Sequence, residues 1–322
     1  MNEEQEPHID NPESESRSLP SGTFRCGYVA IIGEPNVGKS TLMNGLIGQK
    51  LSIVTPKPQT TRHKVLGLLS TNDYQVIFLD TPGIIKPKYM LHEAMMASAS
   101  SALEDADVVL FMIDAIHSRV DTDVSHEEAF SKLKGLQKPV YLVINKTDAV
   151  KKPEILPVID FYSKAFPFKE IFPISALKHD GTEQLVKSIV AELPQHPPFF
   201  PLDIVSEHHE RFFVGEIIRE KIFEKYQQEI PYSTAVEIAE FKEREAGKTF
   251  ISADIFVERD SQKGILVGKQ GKALKQIGMW ARKDIETFLR HPVFLELHVK
   301  VRKDWREDDR ALTQFGYREK PR

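Results

Sequence analysis

The sequence runs to 322 residues, 41% of them hydrophobic and 28% charged, with a formal net charge of −4. That length accommodates two domains of the common size of about 100–200 residues, and the balance is that of an ordinary globular chain. No apolar run approaches the roughly 18 residues of a membrane span, the overall charge gives no argument for a nucleic-acid partner, and the lone cysteine, Cys26, excludes an intrachain disulfide framework and suits a reducing cytoplasm. Residues 1–22 are acidic, rich in Ser and Pro and without an apolar centre, which predicts a disordered tail rather than a secretory or transit peptide.

Residues 23–193 alternate apolar runs with helical patterns. The runs fall at 28–32, 64–69, 75–79, 108–113, 140–144 and 171–174, with amphipathic segments at 41–48, 124–136, 153–165 and 182–192. Such alternation predicts an α/β domain on a mainly parallel sheet with helices on both faces. The second run follows the first without a long helix between them, so it is expected to pair antiparallel at an edge.

The first run leads into Gly33-Glu34-Pro35-Asn36-Val37-Gly38-Lys39-Ser40-Thr41, which matches the phosphate-loop pattern G-x-x-x-x-G-K-[ST]. Its glycines let backbone N–H groups face phosphate oxygens, and the helix that follows adds its positive end. Lys39 is then placed to reach the β- and γ-phosphates, and the Ser40 hydroxyl to ligate Mg²⁺. Next comes a polar loop, Pro56-Lys57-Pro58-Gln59-Thr60-Thr61-Arg62-His63. A nucleotide switch needs a hydroxyl here that joins the metal only when the γ-phosphate is present. Thr61 is the first choice and Thr60 the second.

Asp80-Thr81-Pro82-Gly83 ends the 75–79 run, where Asp80 would hold the same Mg²⁺ through water and the Gly83 N–H would sense the γ-phosphate. Asp, Pro and Gly are also plain turn residues, so the string takes its meaning from the phosphate loop upstream. No glutamine follows Gly83 to orient the attacking water. Ile84 and Ile85 stand there instead. Slow intrinsic nucleotide hydrolysis is therefore expected, with Lys39, Thr61 and Gly83 carrying the chemistry.

Asn145-Lys146-Thr147-Asp148 closes the 140–144 run. The Asp148 carboxylate can accept from guanine N1–H and the exocyclic amine, a donor pair that adenine lacks, so the wrong base would leave a buried charge unpaired. Asn145 and the aliphatic stem of Lys146 would hold the loop and cover the base, and Ser175-Ala176 would offer the Ala176 N–H to the guanine carbonyl. The ligand set expected is GTP or GDP with Mg²⁺.

Four prolines between Pro194 and Pro201 interrupt this pattern and predict an extended linker over 194–202. Within residues 203–303 the order then becomes helix (211–228), strand (234–244), strand (249–258), helix (261–267), helix (272–289), strand (293–301), the first two strands joining at Ala246-Gly247. Between the last two helices lies Val267-Gly268-Lys269-Gln270-Gly271-Lys272. A G-x-x-G loop so placed allows close approach of backbone to a single-stranded RNA, the mode in which KH domains clamp about four nucleotides. Lys263, Lys269, Lys272, Lys275, Arg282 and Lys283 supply phosphate-attracting charge, and Ile265, Val267, Leu274 and Ile277 are expected as the floor beside the bases. Trp280 reads as core. Trp305, in a tail at 304–322, either covers the groove or docks the C-terminus. His208-His209 have no spaced partners for zinc, and Glu243-Arg244-Glu245 reads as a solvated strand edge.

These strings, with Gln59-Thr60-Thr61-Arg62-His63, Ser175-Ala176-Leu177 and Arg259-Asp260-Ser261-Gln262-Lys263-Gly264-Ile265-Leu266-Val267-Gly268-Lys269, resemble the Era GTPases of bacteria over about residues 24–317. The resemblance implies a P-loop GTPase domain followed by an α+β type II KH domain. It implies binding to the 3′ region of 16S ribosomal RNA and a part in assembling the small (30S) ribosomal subunit. It also implies a cytoplasmic monomer with peripheral association to the inner membrane, for which no amphipathic anchor or lipidation motif is found. The family lacks the catalytic glutamine, in agreement with Ile84. Two rival readings stand beside it: an RNA chaperone whose nucleotide site only stabilises the fold, and a P-loop ATPase or kinase, which the Asp148 argument opposes.

Overall fold

The computed structural model describes residues 24–118, 128–243 and 247–318; the tail expected at 1–22, the start of the helix expected at 124–136, and residues 244–246 and 319–322 lie outside them. The first domain is a six-stranded sheet of β1 (Arg25–Gly33), β2 (Val65–Ser70), β3 (Tyr74–Asp80), β4 (Val108–Asp114), β5 (Val140–Asn145) and β6 (Glu170–Pro173). Their spatial order is β2-β3-β1-β4-β5-β6. Every neighbouring pair is parallel except β2 with β3, which run antiparallel at the edge as expected.

The central strands are apolar almost throughout because both faces are covered. On β1, Ala30 and Ile32 enter one core and Val29 and Ile31 the other, the alternation that a pleated strand imposes. The helices are α1 (Lys39–Ile47), α2 (Met90–Asp105), α3 (Glu128–Ser131), α4 (Lys152–Ala165) and α5 (Thr182–Glu192). The Met-, Ala- and Ser-rich α2 shows little contrast between its faces and was not among the expected segments. β1 lies between β3 and β4, the point at which the strand order reverses, so a crevice opens beyond the carboxyl ends of these strands. The phosphate loop, Asp80 and Asn145 all stand at those ends.

Beyond α5 the chain is extended, as the prolines predict, and it stays fastened to the first domain. Cys26 N donates to the Pro194 carbonyl at 3.1 Å, and Leu68 N to that of Val205 at 2.9 Å. The Gln75 side chain holds both the N–H and the carbonyl of Phe200, at 3.0 and 2.9 Å.

The second unit follows the expected order: α6 (Glu210–Lys225), β7 (Ala235–Lys242), β8 (Thr249–Val257), α7 (Asp260–Val267), α8 (Lys272–Leu289) and β9 (Val293–Val301). β7 runs antiparallel to β8, and β8 parallel to β9. Ile218 and Ile222 of α6, Ile251 and Ile255 of β8, and Ile277, Ala281 and Ile285 of α8 form its core.

The segment expected as a tail folds onto this unit. Trp305 is wholly buried and its indole N–H donates to the Ser233 carbonyl at 2.9 Å. Together with Leu312 of α9 (Asp309–Gln314) it packs against Leu91 and Met95 of α2, a helix of the first domain. Of the two roles open to Trp305, docking is the one found.

Candidate functional site

A cavity of about 740 Å³ lies at the carboxyl ends of the central strands, within the usual range of about 300–1,000 Å³ for a ligand site. The phosphate loop from Asn36 to Thr41 lines one wall, with Thr61, Gly83, Lys146 and Asp148 around it. Gly38 has φ +101°, and a Cβ there would stand 2.3 Å from Asn145 Nδ2. Only glycine gives both that backbone turn and that approach. The Asn145 Nδ2 donates to the Val37 carbonyl at 2.8 Å, tying the base loop to the phosphate loop. Asn36 Nδ2 reaches the Pro56 carbonyl at 2.9 Å, across to the polar loop.

Lys39 is buried, its Nζ donating to the carbonyls of Gly33 at 3.1 Å and Glu34 at 2.8 Å. Burial lowers its pKa to about 8, against the opposing pull of Asp80 and Glu34. Burial likewise pushes Asp80 up, while Ser40 and Lys39 pull it down. Both groups are thus biased towards neutrality until phosphate and metal arrive to match their charges.

Ser40 Oγ donates to Asp80 Oδ2 at 2.7 Å and lies 2.9 Å from Thr61 Oγ1. Three oxygens from three segments meet at one point, the donor set that suits a hard cation. Asp80 Oδ1 is buried with no hydrogen-bond partner. An orphaned carboxylate oxygen fits a metal-bound water in particular. Thr60, the second choice, turns away: its hydroxyl donates to the Lys57 carbonyl at 2.7 Å. Gly83 lies against the phosphate loop so closely that a Cβ would stand 2.7 Å from Pro35 N. Ile84 is buried in the core with its N–H on the Gly33 carbonyl. Its side chain is turned away from the cavity.

At the base end, Ser175 Oγ donates to Asp148 Oδ1 at 2.7 Å, and the Lys178 ammonium lies 3.9 Å from Oδ2. The Ala176 N–H donates to Asn145 Oδ1 at 2.9 Å, so the donation expected towards a guanine carbonyl has to be shared with Asn145. Lys146 has φ +64°, and its ammonium lies 3.0 Å from Asp114 Oδ2. Burial pushes the Asp114 carboxyl up, but the His117 amide and the Lys146 ammonium outweigh this and hold it below its usual range.

In the second unit, Gly268 has φ +69° and a Cβ there would meet that of Ala273 at 2.6 Å; Gly271 has φ +73° with open space beside it. Lys263, Lys269, Gln270, Lys272 and Lys275 are exposed around this turn. Two expectations are corrected. Ile277 is fully buried in the domain core rather than forming a groove floor. Trp280 is 37% exposed, with the Lys225 ammonium 5.3 Å from its ring centroid, rather than core. The inward face of α8 follows Ile277, Ala281 and Ile285, and position 280 lies off that stripe.

A family model described as a 50S ribosome-binding GTPase matches residues 28–146, and one described as a KH domain matches residues 229–306. A GTPase Era of Geobacter metallireducens is 48% identical over 295 residues, 91% of this chain and 98% of its own. A chloroplastic Era GTPase of Zea mays is 47% identical over 311 residues, covering 96% of this chain and 74% of its own. The chain belongs to the Era GTPase family. Crystal structures of Era carry the likeness into three dimensions. An Aquifex aeolicus Era variant bound to GDP and tetrafluoroaluminate shares 44% identity with a TM-score of 0.85, over 91% of this chain and 99% of its own. An Era in complex with MgGDPNP and nucleotides 1506–1542 of 16S ribosomal RNA gives the same values.

Sequence reasoning about this Era chain missed Asp114, which holds the Lys146 ammonium, and His117, which in turn bonds to Asp114. Asp114 ends an apolar run just as Asp80 does, and that was the available signal. Two buried arginines, Arg62 and Arg219, were also missed. They join the domains, and long-range pairing of this kind leaves no local pattern.

Proposed function

We propose that this chain is a GTP-driven switch whose nucleotide state governs binding of its KH loop to the single-stranded 3′ region of 16S ribosomal RNA during assembly of the small subunit. The observation that carries the reading is the convergence of the Ser40, Thr61 and Asp80 oxygens below the phosphate loop. These three residues would hold Mg²⁺, which, when bound, offsets charge developing on the β- and γ-phosphate oxygens. Lys39 leaves its two carbonyls to meet the phosphates, alongside the backbone N–H groups from Asn36 to Thr41. Gly83, pressed against Pro35, lies beside the γ-phosphate position. Asp148, backed by Ser175 and flanked by Asn145, Lys146 and Ala176, selects guanine.

With Ile84 buried, no side chain after Gly83 orients the attacking water. Hydrolysis is therefore slow, well below the common kcat range of about 1–1,000 s⁻¹. Lys269, Lys272, Lys275 and Lys263 attract the RNA backbone, and Gly268 and Gly271 let it approach the loop around Gln270. An Era relative holding MgGDPNP together with a 16S fragment supports pairing both ligands in one chain. The division expected from the sequence (first domain 23–193, linker 194–202, KH domain 203–303) is kept, with 304–318 joining the KH unit through Trp305. The protein works as a cytoplasmic monomer. Among the described residues no helix is long and apolar enough to cross a membrane, so inner-membrane association, which the family implies, would be peripheral.

Asp148→Asn tests the reading. It forfeits charge-assisted hydrogen bonds worth about 1.5–3 kcal/mol each, so guanine-nucleotide affinity should fall about 100-fold or more, and small-subunit assembly should fail with it. Assembly that survives the loss of nucleotide would instead mark an RNA chaperone with a structural nucleotide.

A further inference from the structure

Thr61, whose hydroxyl meets Ser40 and Asp80, is held on both sides by bonds to the second domain. On its amino side, the Thr60 carbonyl, part of the same peptide unit as the Thr61 N–H, accepts from Arg219 Nη2 of α6 at 2.5 Å. On its carboxyl side, Arg62 is inserted into the turn that precedes β7. Its Nη2 donates to the carbonyls of Pro231 at 3.0 Å and Tyr232 at 2.9 Å, and its Nη1 to that of Thr234 at 2.8 Å. The first domain alone therefore does not set where Thr61 points.

Arg219 is 1% exposed and its orientation is fully determined. Glu216, one turn back on α6, takes its Nε at 2.8 Å and Nη2 at 2.6 Å, and the Phe223 ring lies 5.3 Å from its guanidinium carbon. Burial pushes the Glu216 carboxyl up, but the guanidinium outweighs it and keeps the carboxyl ionised. Arg219 Nη1 is buried with no partner. A buried ion pair with an unsatisfied donor is a poor way to gain stability, since packed apolar side chains do as well or better. What the arrangement delivers is direction, a planar fork aimed at one carbonyl oxygen.

We infer that Arg219 is a positioning residue for GTP hydrolysis, supplied by the KH-bearing half of the chain: it fixes the Thr60–Thr61 peptide and so aims the Thr61 hydroxyl at the metal site. The inference rests on the reading of Thr61 as the γ-phosphate-dependent metal ligand. Since only the triphosphate recruits Thr61, Arg219 favours GTP over GDP without touching either. Coupling free energies are reciprocal, so GTP strengthens the contact between α6 and the loop by the same factor. Other bonds hold the domains together when Arg219 is altered. The Lys57 ammonium donates to the carbonyls of Phe223 and Tyr226, and Glu220 accepts from Val54 N at 3.2 Å.

The test uses the full chain and four variants, Arg219→Gln, Arg219→Lys, Glu216→Gln and Thr61→Ala. For each, affinities for fluorescent GDP and a fluorescent non-hydrolysable GTP analogue are measured as Mg²⁺ is titrated, with single-turnover hydrolysis alongside. Arg219→Gln should lower the Mg²⁺-dependent preference for the GTP analogue on the order of tenfold, the loss of one charge-assisted hydrogen bond, with GDP affinity unchanged. Arg219→Lys should recover part of the preference, since one ammonium donor reaches the Thr60 carbonyl. Glu216→Gln, which keeps Arg219 but loosens it, should give a smaller change in the same direction and stands in for Arg219→Gln if that chain does not fold. Parental preference in Arg219→Gln, or equal weakening of both nucleotides, overturns the positioning role while Thr61→Ala still abolishes the preference. If Thr61→Ala itself keeps the preference, the reading of Thr61 falls first.

Discussion

Lys39 sits with its ammonium on two carbonyls and its pKa drawn down from 10.5 to about 8 by burial. In the window between those two values the unfolded chain holds the Lys39 proton more tightly than the fold does, so this residue's contribution to stability rises with pH there. Nucleotide reverses the preference, because phosphate favours the ammonium. Binding of GDP should then take up protons at a pH of about 8.5 and lose that uptake near pH 7, with affinity declining above about 8. Calorimetry in two buffers of different ionisation enthalpy measures this, and proton release at the higher pH would contradict it. At this scale the sequence was most legible where one residue type alone suits the proposed chemistry. Lys39, Ser40 and Asp148 line the cavity, and Asp80 accepts from Ser40 beside it. The loop sequence ranks Thr61 over Thr60 without a pattern to separate them; in the structure the Thr61 hydroxyl lies against Ser40 and the Thr60 hydroxyl donates to the Lys57 carbonyl. Asp114 went unread because a supporting carboxylate carries no pattern of its own until Lys146 is seen beside it.

Among the elements, strands and amphipathic helices were legible because burial on one or both faces writes a period into the sequence. α2 was not. Its buried positions mix the large apolar Leu91, Met95 and Leu103 with His92, Ala94, Ala99 and Ala102, and these small or polar members blur the contrast with its outer face. The same helix receives Trp305, whose indole fills the space between Leu91, Met95 and Ala235 and caps the Ser233 carbonyl. Trp305→Ala should lower unfolding stability by about 3–5 kcal/mol, the usual result of deleting a buried tryptophan. Denaturant titration measures this, and a loss below about 1 kcal/mol would show the segment to be loosely attached. Trp280 errs in the opposite direction: large aromatic residues usually read as core, yet this one stands exposed beside Lys225, off the stripe that faces β8 and β9.

Across the whole molecule, the two domains meet through the polar loop that carries Thr61 and through α2. Arg62, Arg219, Lys57 and Trp305 all cross that boundary. The sequence announced both domains and their chemistry, but it held no sign of this junction, because its partners lie more than 150 residues apart, as the 159-residue separation of Thr60 and Arg219 illustrates. A nucleotide that moves Thr61 therefore has a physical route to α6 and the turn before β7 in the second domain. The most direct measurement is crosslinking of the full chain to total RNA with a non-hydrolysable GTP analogue or GDP bound, followed by mapping of the contacts. Contacts concentrated at the 3′ end of the small-subunit ribosomal RNA, and stronger with the GTP analogue than with GDP, are the predicted result. Contacts scattered over messenger RNA, or indifferent to the nucleotide, would contradict it.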